Sequence, residues 1–228
     1  MEKRSVRYNE LAKMVDKNKI YTPEEAMELV KKASKAKFTP SIEVHIRLNM
    51  NLKKTDEQIR GSVVLPHGTG KTKKVAVFAE GNDADAAKKA GADFIGAEDL
   101  IDDIAKSGTI NFDVAIATPS MMVKLSKLAR ILGPKGLMPN PKVGTVTTDV
   151  AKAVLEQKAG KVAFKNDKTG IVHQVIGKSD FTEKQLLENF NTIMEAIKAA
   201  KPETIKRSYL KTISINSTMG PGIKVSIQ

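Results

Sequence analysis

Residues 211–222 read Lys211-Thr212-Ile213-Ser214-Ile215-Asn216-Ser217-Thr218-Met219-Gly220-Pro221-Gly222. Apolar and short polar side chains alternate, and successive side chains of a strand point to opposite faces of its sheet. This alternation predicts an antiparallel strand with one buried and one wet face. One face carries Tyr209, Lys211, Ile213, Ile215 and Ser217, and the other carries Thr212, Ser214, Asn216 and Thr218.

The polar face of this strand is a row of hydroxyl and amide groups, which both donate and accept hydrogen bonds. The row ends at Met219-Gly220-Pro221-Gly222, where missing side chains allow another backbone to come close. Two interpretations fit: a contact surface for a ribose–phosphate backbone, or a solvent-exposed strand followed by a turn. Because threonine favours strands in any case, this stretch alone favours the second interpretation.

The chain as a whole is basic. Its 228 residues include 38 Lys and Arg against 26 Asp and Glu, a net charge of +12, which is typical of proteins that bind a polyanion. With 41% hydrophobic and 28% charged residues, the composition indicates a globular protein of one large domain or two small ones. No apolar run has the length of a membrane span or a signal segment, so we expect an unexported cytoplasmic protein with no membrane partner.

Several kinds of chemistry are disfavoured. Cysteine is absent, and His45, His67 and His173 form no ligand-spaced pair, so we expect neither a disulfide nor a metal site. No paired carboxylates or activated nucleophile stand out, so we expect no enzyme and no cofactor. Seven Phe, three Tyr and no Trp leave little to stack bases on, as single-strand binders do. A nucleic-acid partner would therefore be folded RNA or a duplex read by shape and backbone.

The outer parts of the chain predict helices packed on an antiparallel sheet. After a basic helix at 5–17, capping boxes at Thr22–Glu25 and Thr182–Gln185 begin two amphipathic helices. The clearest alternation of apolar and polar residues runs from Ile42 to Met50. A polar link over 51–58 follows it, and further strands are predicted at 60–65, 162–164, 171–176 and 223–227.

The middle of the chain instead alternates short strands and helices, which predicts a parallel sheet covered by helices. The predicted strands are 75–79, 93–95, 112–118 and 143–147, and the helices are 84–90, 98–106, 120–132 and 150–158. Residues 1–68 alone supply two strands, too few for a stable antiparallel sheet. We therefore predict a two-domain chain: a discontinuous α+β domain of residues 1–68 and 159–228, and an inserted α/β Rossmann-like three-layer domain of residues 69–158.

Charge is divided unevenly between these predicted domains. The middle segment holds 13 basic and 11 acidic residues, whereas the outer segments hold 25 basic and 15 acidic residues. Most of the excess positive charge thus lies on the discontinuous domain, which also owns the polar strand face. We therefore expect nucleic-acid contact on that domain.

Gly68-Thr69-Gly70-Lys71-Thr72 is similar to the end of a phosphate-binding loop, but the pattern is incomplete. Such a loop needs a glycine five positions before Gly70, where this chain has Leu65. It should also follow a strand and open a helix, whereas here it precedes a predicted strand. Gly68 and Gly70, with Gly160 at the return crossing, better suit a hinge between the two domains, because glycine permits backbone rotation.

Three other features each admit more than one interpretation. The loop Gly133–Gly144 holds three prolines, three glycines, two lysines and no acid, and suits a rigid surface loop, a second RNA contact or a seat against the other domain. Phe38, which follows Lys37, is either a core residue at a helix end or an apolar contact on RNA. Glu43 either accepts hydrogen bonds from a base amine or ribose hydroxyl, or pairs with a surface cation.

Several longer strings occur in an order that is specific to one family. They are Ala36-Lys37-Phe38 with Glu43-Val44-His45; Arg60-Gly61-Ser62-Val63 with Leu65-Pro66-His67-Gly68-Thr69-Gly70-Lys71; Gly133-Pro134-Lys135-Gly136-Leu137-Met138-Pro139-Asn140-Pro141-Lys142; Lys165-Asn166-Asp167-Lys168-Thr169-Gly170; and Thr218-Met219-Gly220-Pro221. On these strings the chain resembles, over essentially its whole length, the bacterial ribosomal protein L-one family of large-subunit stalk proteins.

The resemblance implies two domains joined by a hinge, and binding to the folded stalk region of 23S rRNA near the exit site. It also implies help in releasing deacylated tRNA from the exit site, repression of translation of the protein's own operon mRNA, and a monomer outside the large ribosomal subunit. The family's RNA-contact positions fall on Lys37, Phe38, Ser41, Glu43, Thr212, Thr218, Met219 and Gly220, with Lys165 and Lys168 nearby.

Two other classes of function stay open on the residues alone. A nucleotide-dependent enzyme would use the middle domain, and binding of ATP or GTP by that domain would favour it. A protein–protein scaffold would keep its partners through nuclease treatment and moderate salt.

Overall fold

The computed structural model describes residues 5–51, 57–205 and 208–227. The predicted polar link over 51–58 falls largely on residues 52–56, outside the described residues. In chain order the helices are α1 (Val6–Lys13), α2 (Pro23–Lys32), α3 (Asn82–Lys89), α4 (Glu98–Ser107), α5 (Pro119–Leu125), α6 (Ala129–Leu132), α7 (Val150–Lys158) and α8 (Glu183–Ala199). The strands are β1 (Ser41–Leu48), β2 (Arg60–Val64), β3 (Val75–Phe78), β4 (Phe94–Gly96), β5 (Val114–Ala117), β6 (Lys161–Lys165), β7 (Ile171–Lys178), β8 (Leu210–Ser217) and β9 (Ile223–Val225).

The chain divides into two compact units. The terminal unit comprises Met1–Gly70 and Ala163–Gln228, and the middle unit comprises Lys71–Val162. The terminal unit is therefore built from both ends of the sequence.

A four-stranded antiparallel sheet with the order β7-β1-β8-β9 forms the centre of the terminal unit. β1 pairs with β7 from Ser41–Lys178 to Arg47–Ile171, and with β8 from Ile42–Ser217 to Leu48–Leu210. Side chains of β1 are alternately buried and accessible along most of its length, which confirms the alternation predicted there. β2 and β6 form a separate two-stranded sheet.

Helices α2 and α8 cover the apolar face of this sheet and contact each other. Both predicted capping boxes are present, at Thr22 with Glu25 and at Thr182 with Gln185. Apolar side chains of α8, such as Phe190 and Ile193, are buried as its spacing predicts. The opposite face of the sheet carries the exposed or half-buried polar residues, so it is the face available to a ligand.

A β-bulge changes the faces at the start of β8. Arg47 pairs with Thr212, but Leu48 pairs with Leu210, so Lys211 is an extra residue on this strand. Leu210 is buried and Lys211 is exposed. The assignment of Lys211 to the same face as Ile213 and Ile215 is therefore wrong, because a bulge shifts the alternation by one position.

The middle unit contains a three-stranded parallel sheet with the order β4-β3-β5. On one face Phe78 and Ala117 pack with residues of α4, α5 and α6, such as Leu125. On the other face Val77 and Ile116 pack with residues of α3 and α7. Helices thus cover both faces, because these short strands are apolar on both sides.

Two predicted elements of the middle unit are only partly present in the structure. The strand predicted at 143–147 is a 3-10 turn (Pro141–Val143) and a single bridge between Ala117 and Val146, because Asn140 and Thr145 hydrogen bond to each other and fold the segment back. The helix predicted over 120–132 is interrupted by a 3-10 segment, Ser126–Leu128. There the Ser126 hydroxyl donates to the Val123 carbonyl at 2.6 Å, which competes with regular helix geometry.

The chain thus combines helices with both antiparallel and parallel sheets, as its patterning predicts. In the described ranges, no helix is both long and apolar enough to span a membrane.

Candidate nucleic-acid interface

The corner that follows β8 is joined to the start of β1. The Ser41 backbone N–H donates to the Thr218 hydroxyl at 3.2 Å, and that hydroxyl donates to the Ser41 carbonyl at 3.2 Å. The Thr218 backbone N–H also donates to the Ser41 carbonyl, at 2.9 Å. Hydrogen bonds therefore join the predicted site residues Ser41 and Thr218 directly.

Met219 and Gly220 continue this corner with an unusual backbone. Met219 has φ of 66°, and it is the only residue other than glycine with positive φ in the described part of the chain. Its side chain is 66% exposed. A Cβ added to Gly220 would lie 2.3 Å from Ser217 Oγ, so only glycine fits there without a shift of its neighbours. The corner thus presents one apolar side chain beside bare backbone.

Lys37 and Phe38 lie in the loop between α2 and β1, a few residues before Ser41. Both side chains are exposed, and Phe38 is 54% exposed. Three residues of chain span at most about 11 Å, so Phe38 stays near the Ser41–Thr218 junction. The core interpretation of Phe38 is wrong, because its ring is largely outside the hydrophobic core.

Glu43 and Thr212 lie on the polar face of the sheet. Glu43 pairs with Asn216 across β8, and Arg47, four positions further along β1, pairs with Thr212. Positions 43, 45 and 47 of a strand share one face. Glu43 therefore lies near the corner, whereas Thr212 lies toward the other end of the sheet.

Lys165 and Lys168 also lie at that other end. Lys165 ends β6, and Lys168 lies in the turn before β7. The Gly170 carbonyl of this turn accepts a hydrogen bond from the Leu48 N–H. Ile42 and Leu48 are six residues apart on β1, which separates the two ends by about 20 Å. The structure therefore places these lysines at the Thr212 end of the sheet, away from the corner.

Asp167 fixes the conformation of this lysine-bearing turn. Its carboxylate accepts hydrogen bonds from the backbone N–H groups of Ile171 and Thr169 and from the Thr169 hydroxyl, at 2.7–2.8 Å. These bonds, led by that of Ile171, lower the pKa of Asp167 to about 2. The turn is therefore held by an ionised carboxylate at neutral pH, with both lysines exposed.

The predicted hinge glycines lie close to the boundaries of the two units. Gly68, Gly70 and Gly160 all have positive φ, at 62°, 73° and 103°. Gly68 is held by Asn189 of α8, whose amide donates to the carbonyls of Gly68 and Ile176 at 2.9 Å and 2.7 Å. The Asn189 carbonyl oxygen accepts from the His67 N–H at 3.2 Å.

Sequence reasoning missed two features of this surface. Asn189 is fully buried, although its position in an apolar stripe gave it no separate signal. His45 and His173, which seemed scattered, have their Nδ1 atoms 2.7 Å apart. The register of β1 against β7 makes them direct neighbours, and only that register could have revealed the pair. Among the described residues, no three His, Cys, Asp or Glu side chains are grouped so that they could hold a metal ion.

The middle unit carries its charges differently. Lys124 of α5 forms ion pairs with Glu80, which follows β3, and with Glu98, at the start of α4, at 2.6 Å and 2.9 Å. The pKa of Glu98 is lowered, chiefly by its hydrogen bond from Lys124. The carboxyl ends of β3 and β4, where a doubly wound unit binds its ligand, therefore carry a lysine already paired with carboxylates.

The chain matches the model of a known protein family. The model of the ribosomal protein L1p/L10e family matches residues 30–221. The matched range includes β1, β7, β8 and the whole corner at Thr218–Gly220. This is a family of structural RNA-binding proteins, not of enzymes, and the match confirms the family resemblance. Because it covers most of the 228 residues, the chain belongs to the ribosomal protein L1p/L10e family and is an rRNA-binding protein of the large ribosomal subunit.

Proposed function

We propose that the terminal unit binds the folded stalk region of 23S rRNA near the exit site of a bacterial ribosome. In that position the protein assists the release of deacylated tRNA. When it is not assembled, it acts as a monomer in the cytoplasm and represses translation of its own operon mRNA by binding a similar RNA structure.

The observation that carries this proposal is the conformation of Met219. A left-handed backbone costs a residue with a Cβ roughly 1–2 kcal/mol, and an exposed side chain recovers little of that cost in the free protein. Met219 combines this backbone, at φ 66°, with a 66% exposed side chain. The turn after β8, in which the Gly220 N–H donates to the Ser217 carbonyl at 2.8 Å, holds Met219 in this conformation, and the exposed side chain it presents there supports a role in contact with a ligand.

The groups at the corner and along the polar face of the sheet suit RNA better than protein. Lys37 offers a positive charge to phosphate, which would make the affinity sensitive to salt. Glu43 and the hydroxyls of Ser41, Thr212 and Thr218 can bond ribose hydroxyls and base edges. Gly220, which lacks a side chain, lets a sugar or base approach the backbone closely. We propose that Lys165 and Lys168 bind phosphates about 20 Å from this corner, so the RNA follows the length of the sheet.

The two compact units support a proposal about domains. Residues 1–68 with 159–228 act as the RNA-binding domain, and residues 69–158 act as an inserted domain. The hinge between them is at Gly68, Gly70 and Gly160. Asn189 holds the backbone of Gly68, so rotation at the first crossing is concentrated on the residues that follow Gly68.

A single substitution separates the strain of Met219 from its function. Met219→Gly removes both the strained Cβ and the apolar side chain. The free energy of unfolding of the variant should stay unchanged or rise by about 1 kcal/mol. Its affinity for a transcript of the 23S stalk region, measured by filter binding at fixed salt, should fall about tenfold.

The matched control is Val123→Ala, which removes an apolar side chain that is 79% exposed on the middle unit. It should leave the affinity unchanged. Equal affinity of wild type and Met219→Gly would contradict the proposed role of the corner. RNA that copurifies with the protein, trimmed with nuclease and sequenced, would distinguish rRNA, tRNA and mRNA as partners.

A further inference from the structure

A chain of hydrogen-bonding side chains crosses the polar face of the terminal sheet. His45 Nδ1 and His173 Nδ1 are 2.7 Å apart, and His45 Nε2 lies 2.6 Å from Asn216 Oδ1. At the other end, His173 Nε2 lies 3.5 Å from a carboxylate oxygen of Asp167. Two imidazoles are thus linked in series between an amide and a carboxylate.

The partners at the ends fix where the protons are. The amide nitrogen of Asn216 donates to the Ser217 carbonyl at 3.4 Å, so the amide oxygen faces His45 and accepts a hydrogen bond from its Nε2–H. A neutral His45 then has a lone pair on Nδ1, which accepts a hydrogen bond from Nδ1–H of His173. A neutral His173 would consequently turn the lone pair of its Nε2 toward a carboxylate.

The neutral His45–His173 pair can bind one additional proton, but its geometry opposes a second. In the neutral pair, the lone pair of His173 Nε2 faces the Asp167 carboxylate. When that nitrogen binds a proton, an N–H faces the carboxylate instead. A second proton on His45 Nδ1 would place two N–H groups against each other at 2.7 Å and would break the bond between the rings. The pair therefore carries either no net charge or one positive charge, but not two.

The pair lies in the middle of the proposed RNA path. His45 is between Glu43 and Arg47 on the same face of β1, and Glu43 and Thr212 are RNA contacts in the proposed function. RNA that reaches from the corner at Thr218 to Thr212 must pass over this pair. The charged groups around the pair are Glu43 and Arg47 on β1, Lys178 on β7, Lys211 on β8, Lys224 on β9, and Lys165, Asp167 and Lys168 before β7.

We propose that the His45–His173 pair is a proton-linked contact for an RNA backbone phosphate, so that this surface binds RNA more tightly as the pH falls. The inference rests on the proposed RNA-binding function and adds to it a dependence of the RNA affinity on pH. The phosphate is attracted by the charge of the singly protonated pair, because all four ring nitrogens already face partners. Binding of RNA would therefore take up as much as one proton.

The test measures the dissociation constant of the full chain for the 23S stalk transcript between pH 6.0 and 8.0 at constant ionic strength. One linked proton changes the affinity by at most about tenfold per pH unit. For the wild type we expect binding about five- to tenfold tighter at pH 6.0 than at pH 8.0. His173→Gln should bind at the weaker level at every pH. His173→Lys, whose charge is permanent, should bind at the tighter level at every pH.

His67→Gln is the matched control, because His67 bonds to Glu188 rather than to this pair, and it should keep the wild-type pH dependence. Thermal unfolding of each variant checks its fold. A wild-type affinity that is constant over this pH range, or the same pH dependence in His173→Gln, would overturn the inference and leave the proposed function intact. A wild type that fails to bind the transcript at any pH would overturn both.

Discussion

Ser41 and Thr218 are 177 positions apart in the sequence, yet three hydrogen bonds join them. The junction brings the loop that carries Phe38 to the corner that carries Met219. Neither segment alone presents the candidate site, because each provides only part of its apolar and polar groups. The candidate site is therefore a product of strand pairing between the two ends of the chain.

The Thr218 hydroxyl has a structural role as well as a proposed RNA contact. Thr218→Val leaves the Ser41 N–H without its partner, so we expect the free energy of unfolding to fall by about 1–2 kcal/mol. Affinity for the stalk transcript should fall about tenfold or more, because valine has no hydroxyl that could accept a hydrogen bond from RNA. Urea denaturation and filter binding measure the two effects. Thr218→Ser keeps the hydroxyl and should retain most of the stability and most of the affinity. Wild-type affinity in Thr218→Val would contradict the proposed RNA contact.

Gly220 can be tested for close packing and for close RNA approach separately. Gly220→Ala should lower the free energy of unfolding by about 1–3 kcal/mol, because its Cβ would meet Ser217 Oγ at 2.3 Å. Ser217→Ala removes that oxygen, which has no hydrogen-bond partner among the described residues, so it should cost little alone. The double variant should regain stability, yet bind the stalk transcript weakly if RNA needs the bare backbone. Recovery of affinity together with stability would show that the glycine serves only the fold.

Asn189 should be among the most sensitive residues of the terminal unit. Asn189→Ala leaves the buried carbonyl of Ile176 without this partner, and likewise the half-buried His67 N–H and Gly68 carbonyl. We expect the free energy of unfolding, measured with urea, to fall by about 2–4 kcal/mol. Asn191→Ala, at an exposed position on the same helix, should change it by less than about 0.5 kcal/mol. Equal losses of stability in the two variants would exclude the role of Asn189 in anchoring the backbone at Gly68.

Asp167 should make the free energy of unfolding depend on pH in the acidic range. Its pKa is lowered to about 2 in the folded chain, against about 3.9 in an unfolded chain. Its contribution is therefore complete above about pH 4 and is lost as the pH falls toward 2. Because the side chain is 38% exposed, solvent screening limits the contribution to about 1 kcal/mol. Between pH 4.5 and 2, Asp167→Asn should lose less stability than wild type, whereas Asp180→Asn should follow wild type.

Local patterns were sufficient to predict most elements of this fold. The capping boxes at Thr22 and Thr182 and the alternation along β1 depend on neighbours within a few residues, and both appear in the structure. The errors come from interactions that a local pattern does not contain. The bulge at Lys211 follows from pairing with β1, and the turn in place of a strand at 143–147 follows from bonds between Asn140 and Thr145.

The candidate site shows the same division. The hydroxyl row and the glycine corner were visible in the sequence, because each occupies one short stretch. The distance between the corner and the lysines of the β6–β7 turn was not visible, since it depends on the register of three strands. The His45–His173 pair was missed for the same reason, as 128 positions separate its members.

The terminal unit also imposes an order on its own completion during synthesis. When β1 leaves the ribosome, both of its neighbours in the sheet, β7 and β8, are still untranslated, and the whole middle unit must emerge first. Contacts so distant in sequence form late, because the intervening chain has to be closed into a loop. A nascent or truncated chain that lacks β8 therefore cannot form the Ser41–Thr218 junction, so the candidate site is completed only after β8 has been translated.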